Sequence, residues 1–240
     1  MARRDGNDMN PVEFCRDTAA PPGSNLHYAT LFHPAGERRG LNALFALRAE
    51  VMRIAAGTPD PAVIAMRRSW WTDELARVGA RQARHPVGHE LQLLTERTPI
   101  DIAALQYFAA TGGDAGTGAG IWAGAARACG VSEPDAVRVV TEAGELVDRV
   151  DSIAGTGPVD AAVQPDVVRD LAARLESASG SLASRGAAPA EFCRILVGLS
   201  AALCTELARD VEVIGRSRIA LTPLRKLWIA WRIHRRGVGI

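Results

Sequence analysis

Apolar residues recur along the chain at three- and four-residue intervals, and proline and glycine fall between the runs, so the pattern predicts helices joined by short connections. Leu41, Leu44, Phe45, Leu47, Val51, Met52 and Ile54 give one apolar face to a helix over Arg38–Ala56. That helix stops at Gly57-Thr-Pro59, where Asp60-Pro61 offers a cap and a first-turn proline for a helix running to about Arg81. Upstream, Pro21-Pro22-Gly23 ends a short first segment, with residues 1–20 expected to be loosely ordered, and Asn25–Phe32 leads to Pro34-Ala-Gly36. Further helices are expected at Val87–Glu96, Ile100–Ala110, Ile121–Cys129, Pro134–Ile153, Pro165–Ser177, Pro189–Val213 and Pro223–Arg235. Such a series predicts an all-α fold in a single domain over residues 1–240, not a βαβ array.

Composition supports helix. Apolar residues make up 48% of the chain, alanine is abundant, and β-branched and aromatic runs are scarce. A net charge of +1, with Lys226 the only lysine, gives no electrostatic case for a nucleic-acid partner. Cys15, Cys129, Cys193 and Cys204 form no Cys-x-x-Cys pair, so a structural zinc site does not follow from the spacing, and no other metal ligand set does. Cys193 and Cys204 share one expected helix and are too far apart along it for a disulfide. The first residues lack the apolar core of a signal peptide, and no run of 18 apolar residues exists to span a bilayer. The expectation is a reduced, cytoplasmic protein, soluble or at most peripheral at the inner membrane face.

Several motif-like features carry less than their outline suggests. The glycine-rich run Thr111–Gly120 lacks Gly-Lys-Ser/Thr and has no strand before it, so both nucleotide fingerprints fail and a helix break is expected. His85 and His89 have the spacing of two helical metal ligands, but Pro86 makes His85 a helix-start residue and no third ligand is at hand. Of the adjacent Trp70 and Trp71, one is expected in the core and the other beside a cavity. On the last helix, Leu224, Leu227, Trp228 and Trp231 follow i, i+3, i+4, i+7 among Arg225, Lys226, Arg232, Arg235 and Arg236. The stripe suits either docking on the bundle, which is preferred, or membrane contact through Trp228, Trp231, Arg232 and Arg235.

The run from Arg38-Arg39 to Ala56, the segment Pro22-Gly-Ser-Asn-Leu-His-Tyr-Ala29, Trp70-Trp71 and His85-Pro86 together resemble the squalene/phytoene synthase family. Its active members join two prenyl diphosphates head to head on a helical bundle around a central cavity, using Mg²⁺ held by two aspartate-rich motifs. Aligned through Arg38, Ala43 and Ala46, the first motif's aspartate positions fall on Met52, Arg53 and Ala56, none of which ligates a hard cation as a carboxylate does. The second motif's counterpart lies in Glu142–Asp151, where Glu145, Asp148 and Asp151 keep acids in another pattern. They are read either as a residual cation site or, preferred, as a solvated edge paired with Arg138 and Arg149. Ala46–Ile54 also resembles a non-catalytic branch typified by a mitochondrial respiratory complex I assembly factor, in which a glutamate replaces the aspartate-rich segment; Glu50 is that residue here.

By the same resemblance, Tyr28, Arg38 and Arg39 match positions that line the substrate entrance, and Arg53 offers a fork to diphosphate oxygens. The favoured expectation is a member without catalytic residues that binds an isoprenoid or lipid, or acts in assembly with a protein partner, and needs no cofactor. The alternative is a head-to-head prenyltransferase acting on farnesyl diphosphate or a longer prenyl diphosphate, with Mg²⁺ held by Glu50, Glu145, Asp148 or Asp151.

Overall fold

The computed structural model describes residues 10–112, 116–154, 165–184, 190–209 and 219–237, apart from the side chain of residue 55. Every regular element among them is an α-helix. In chain order these are α1 (Pro11–Ala19), α2 (Asn25–Thr30), α3 (Ala35–Ala56), α4 (Pro61–Gly79), α5 (Pro86–Thr95) and α6 (Ile102–Thr111). Then come α7 (Ala119–Ala128), α8 (Pro134–Ala154), α9 (Pro165–Ser184), α10 (Glu191–Leu207) and α11 (Pro223–Gly237). The fold is all-α. None of the described helices is long and apolar enough to cross a membrane.

The chain divides into two compact units, one holding α1 and α3–α7 and the other α2 and α8–α11. In the first, α3 is the central element, packed against α1, α5 and α7. Its stripe of Leu41, Leu44, Leu47, Val51 and Ile54 is buried, and Phe45 meets Trp122 of α7 edge-on with centroids 5.1 Å apart. Each such fully buried side chain stabilises the unit by about 1.5–3 kcal/mol. Met52, expected on that apolar face, stays 41% exposed: it lies on the helix side away from the buried stripe.

Helix ends follow the chemistry of the chain. Asp60 Oδ1 accepts from Ala62 N at 2.9 Å, and Pro61 occupies the first turn of α4. Asp101 caps α6 in the same way, accepting from Ala104 N at 3.0 Å. Asn10 Oδ1 accepts from Val12 N at 3.1 Å to start α1, whose Cys15 is buried. Pro11–Ala19 is therefore helix where loose chain was expected, because a cap, a first-turn proline and a buried residue coincide. Residues 1–9 of that stretch lie outside the described residues.

The glycine-rich run ends α6 and readmits the chain to α7. Gly112 takes the left-handed conformation (φ 74°) that terminates α6, and Gly120 lets α7 approach α6 so closely that an added Cβ lies 2.8 Å from Ala104 Cβ. Residues 113–115 lie outside the described residues.

In the second unit α8, α9 and α10 pack on one another, and α10 also carries α2 and α11. Phe192, Ile195, Val197 and Leu199 are buried along α10, as are Val140 and Val150 of α8 and Leu175 of α9, the helices that pack on it. The expected helix Pro189–Val213 is observed as Glu191–Leu207; residues 185–189 and 210–218 lie outside the described residues. α9 continues to Ser184, beyond the expected Ser177, since Leu182 gives the last turn a buried anchor.

Candidate functional site

The C-terminal half of α3 and the middle of α4 enclose a cleft of about 220 Å³ in the first unit, lined by Glu50, Arg53, Ile54, Arg67, Trp70 and Trp71. Both helices contribute residues at i, i+3 and i+4, the spacing that sets side chains on one helical face. Arg53 Nη1 donates to Glu50 Oε1 at 2.6 Å, so the carboxylate of the lining is neutralised by its own helix. Arg67 adds a second guanidinium. Trp71 is buried and Trp70 is 43% exposed, their rings meeting edge-on at 5.1 Å, so both border the cleft while one also serves the core.

This donor set does not fit Mg²⁺, which takes oxygen ligands and is repelled by cations. The lining offers one carboxylate, already paired, and two arginines; Met52 and Ala56 face solvent beside it. An anionic group suits it better. A guanidinium presents planar donors to phosphate or carboxylate oxygens, and indole faces accept an apolar or cationic neighbour.

Behind the cleft the rings are held by His85, which meets Phe14 at 5.3 Å, Trp70 at 5.6 Å and Trp71 at 4.9 Å, all edge-on. His85 begins α5, its Nδ1 accepting from Val87 N at 3.2 Å, as Pro86 predicts. That acceptor role requires the neutral ring, and burial pushes the His85 pKa down against the opposing pull of Glu50 and Glu74. The segment before α5 is fixed by Glu74, a fully buried carboxylate of α4. Its Oε1 accepts from Arg84 N at 2.7 Å and His85 N at 2.8 Å, and its Oε2 accepts from Arg77 Nε at 2.8 Å. Burial alone raises a carboxyl pKa, but these three donors together outweigh it and hold Glu74 below the usual range. Gly88 makes room for the carboxylate, since a Cβ there overlaps Glu74 Oε1.

The other residues singled out in the sequence lie elsewhere. Arg39 forms a two-pronged ion pair with buried Glu90 that ties α3 to α5, while Arg38 is exposed. Arg39 stands eleven residues from Glu50 on the same helix, roughly 16 Å at 1.5 Å per residue, so it takes no part in the cleft. Tyr28 is on α2 in the second unit, edge-on to His27. Glu145 borders a groove of about 420 Å³ between α8 and α9, with Glu142, Arg138, Arg149 and Arg174 also in its walls. Arg138 pairs with Asp135 and Glu142 rather than with the expected Glu145–Asp151 set, because those two are its i−3 and i+4 neighbours. Asp148 is half-buried and Asp151 exposed.

The four cysteines are buried, and burial pushes the thiols of Cys15 and Cys193 up to about 12 and that of Cys204 to about 11, which disfavours the thiolate form of these three. On α11, Trp228 and Trp231 are exposed, with Arg232 and Arg235 stacked over their rings. The helix docks on α10, as expected, but not through the expected stripe. Ile229 and Ala230 are buried instead, with Ile233 over Gly198, because these residues form a second apolar stripe that a small residue on α10 admits.

Sequence reasoning missed Arg67 and Glu74. Arg67 had a faint signal, standing three residues before Trp70 and hence on its face; Glu74 had none, since a glutamate in an exposed-looking helix reads as solvated. Comparison with protein-family models matches residues 20–111 to the one described as squalene/phytoene synthase. The match contains the whole of α3, α4, α5 and α6 and so the cleft. No curated protein matches the chain.

Proposed function

We propose that this chain, whose residues 20–111 match the squalene/phytoene synthase family, is a member of that family that binds an isoprenoid or lipid carrying an anionic head without ionising it, and works as a binding or assembly protein rather than as a synthase. The observation that carries this reading is the Arg53–Glu50 pair, with Arg67 across the cleft. A diphosphate meeting two guanidinium groups gains charge-assisted hydrogen bonds. It gains no metal to take up the charge of a departing pyrophosphate, which is the service Mg²⁺ supplies in family members that turn over. The cleft volume of about 220 Å³ suits a head group more than a long chain.

Calorimetric titration of the full chain with farnesyl diphosphate, with and without Mg²⁺, tests the reading alongside an assay for released diphosphate. Expected are binding that depends little on Mg²⁺, is weakened by Arg53→Ala and by Arg67→Ala, and yields no release. Mg²⁺-dependent release of diphosphate, or a C30 product, would overturn the reading in favour of a head-to-head prenyltransferase.

A further inference from the structure

The outward side of α11 is an apolar and cationic surface that the fold does not use. Leu224 is 79% exposed, Leu227 42%, Trp228 53% and Trp231 45%. Their i, i+3, i+4, i+7 spacing makes one stripe, opposite the face through which Ile229 and Ala230 dock on the rest of the unit. The docking is independently secured. Arg225 pairs with Glu206, Lys226 Nζ donates to Gly23 O at 2.9 Å, His234 Nδ1 lies 3.0 Å from Glu191 Oε2, and the His234 ring stacks on Phe32 at 4.3 Å.

The helix carries no acidic residue from Pro223 to Gly237. Arg232 lies over the Trp228 ring at 4.4 Å and Arg235 over Trp231 at 5.3 Å, with exposed Arg236 beside them. Arg235 follows Trp231 by four residues and so prolongs the apolar stripe itself. A protein groove that swallowed the stripe would bury that charge, which is costly unless it finds a partner. A layer of lipid head groups accepts both parts at once, since indole rings settle at the boundary between acyl chains and water and guanidinium groups meet phosphate there.

We propose that α11 seats this protein on an anionic lipid surface, with Leu224, Leu227, Trp228 and Trp231 entering the interface and Arg232, Arg235 and Arg236 contacting lipid phosphates. The helix lies in the plane of the surface and does not cross it. The α3–α4 cleft takes no part, so this proposal and the ligand reading fail independently.

Flotation of the full chain with vesicles of phosphatidylcholine alone, or mixed with phosphatidylglycerol, tests it. The expected result is flotation with the anionic vesicles that weakens as salt is raised. Arg232→Ala/Arg235→Ala/Arg236→Ala should lower partitioning roughly a hundredfold, at about fivefold for each arginine near an anionic surface. Trp228→Ser/Trp231→Ser should also abolish it, with the far-ultraviolet spectrum of each variant unchanged. A chain that does not float with anionic vesicles, or folded variants that float as well as the parent, would overturn the proposal. So would a concentration-dependent dimer, abolished by Trp228→Ser/Trp231→Ser, in a chain that binds no vesicles; that result assigns the face to a second copy.

Discussion

Replacing Glu74 by alanine removes the group on which the segment between α4 and α5 is hung. Three donors lose their acceptor: the backbone N–H groups of Arg84 and His85 and the Arg77 guanidinium. Arg77 retains 25% side-chain exposure and can turn to water, so its bond is discounted. The two backbone bonds go to an ionised carboxylate, each worth about 1.5 kcal/mol net. The desolvation that buried glutamate suffers is relieved, but the loss of packing beside Gly88 acts in the opposite direction. A net destabilisation of about 3 kcal/mol follows, a large share of the roughly 5–15 kcal/mol that holds a domain together. Urea unfolding followed by circular dichroism reads it directly: at a slope of about 1–3 kcal/mol per molar, the midpoint should fall by about 1 M or more. Glu74→Gln keeps an acceptor oxygen and should lose roughly half as much. A Glu74→Ala midpoint that moves by less than the equivalent of about 1 kcal/mol would mean that water replaces the carboxylate at little cost, and the account of this segment would be wrong.

Two further outcomes follow from the same packing. Stability should decline as pH falls through about 6.5, because the unfolded chain then takes up a proton that buried His85 refuses, and again below about 4.5, where the unfolded chain protonates the carboxyl that Glu74 keeps ionised in the fold; chemical denaturation at stepped pH should resolve both stages, with Glu74→Ala flattening the lower. Gly120→Ala should destabilise by about 1–3 kcal/mol, since its Cβ meets the Ala104 carbonyl carbon at 3.1 Å and backbone cannot yield as a side chain does; Gly180→Ala, on a helix with nothing within 4 Å of the added carbon, should instead stabilise by about 0.5–1 kcal/mol, and thermal melts of the two variants in opposite directions check the argument.

The helices were legible because proline, glycine and capping residues stand at their ends: Asp60-Pro61 and His85-Pro86 start α4 and α5 where the chain says they should. The absence of aspartate at Met52, Arg53 and Ala56 was also plain from the residues. What α11 buries was not legible, since the helix carries two apolar stripes and only the small Gly198 of α10 decides which one docks. The cleft was half legible. Glu50, Arg53 and the tryptophan pair were singled out, yet Arg67 belongs with them only because α4 lies against α3, a matter of tertiary packing that periodicity does not encode. Arg39 illustrates the opposite error of emphasis, for its partner Glu90 is fifty-one residues away and no local pattern links them.

The five tryptophans are distributed so that each region of interest carries its own optical signal. Trp122 is sealed in the first unit's core and gives a constant, short-wavelength background. Trp70 and Trp71 stand edge-on to His85, so a proton arriving on that imidazole or an anion entering beside Trp70 changes emission from the cleft alone. Trp228 and Trp231 emit from water beneath guanidinium groups and shift to the blue only when the last helix leaves water. Phenylalanine at one pair or the other therefore yields two single-region reporters from the native chain, and occupancy of the cleft and contact at α11 become separable in a single cuvette without any added label.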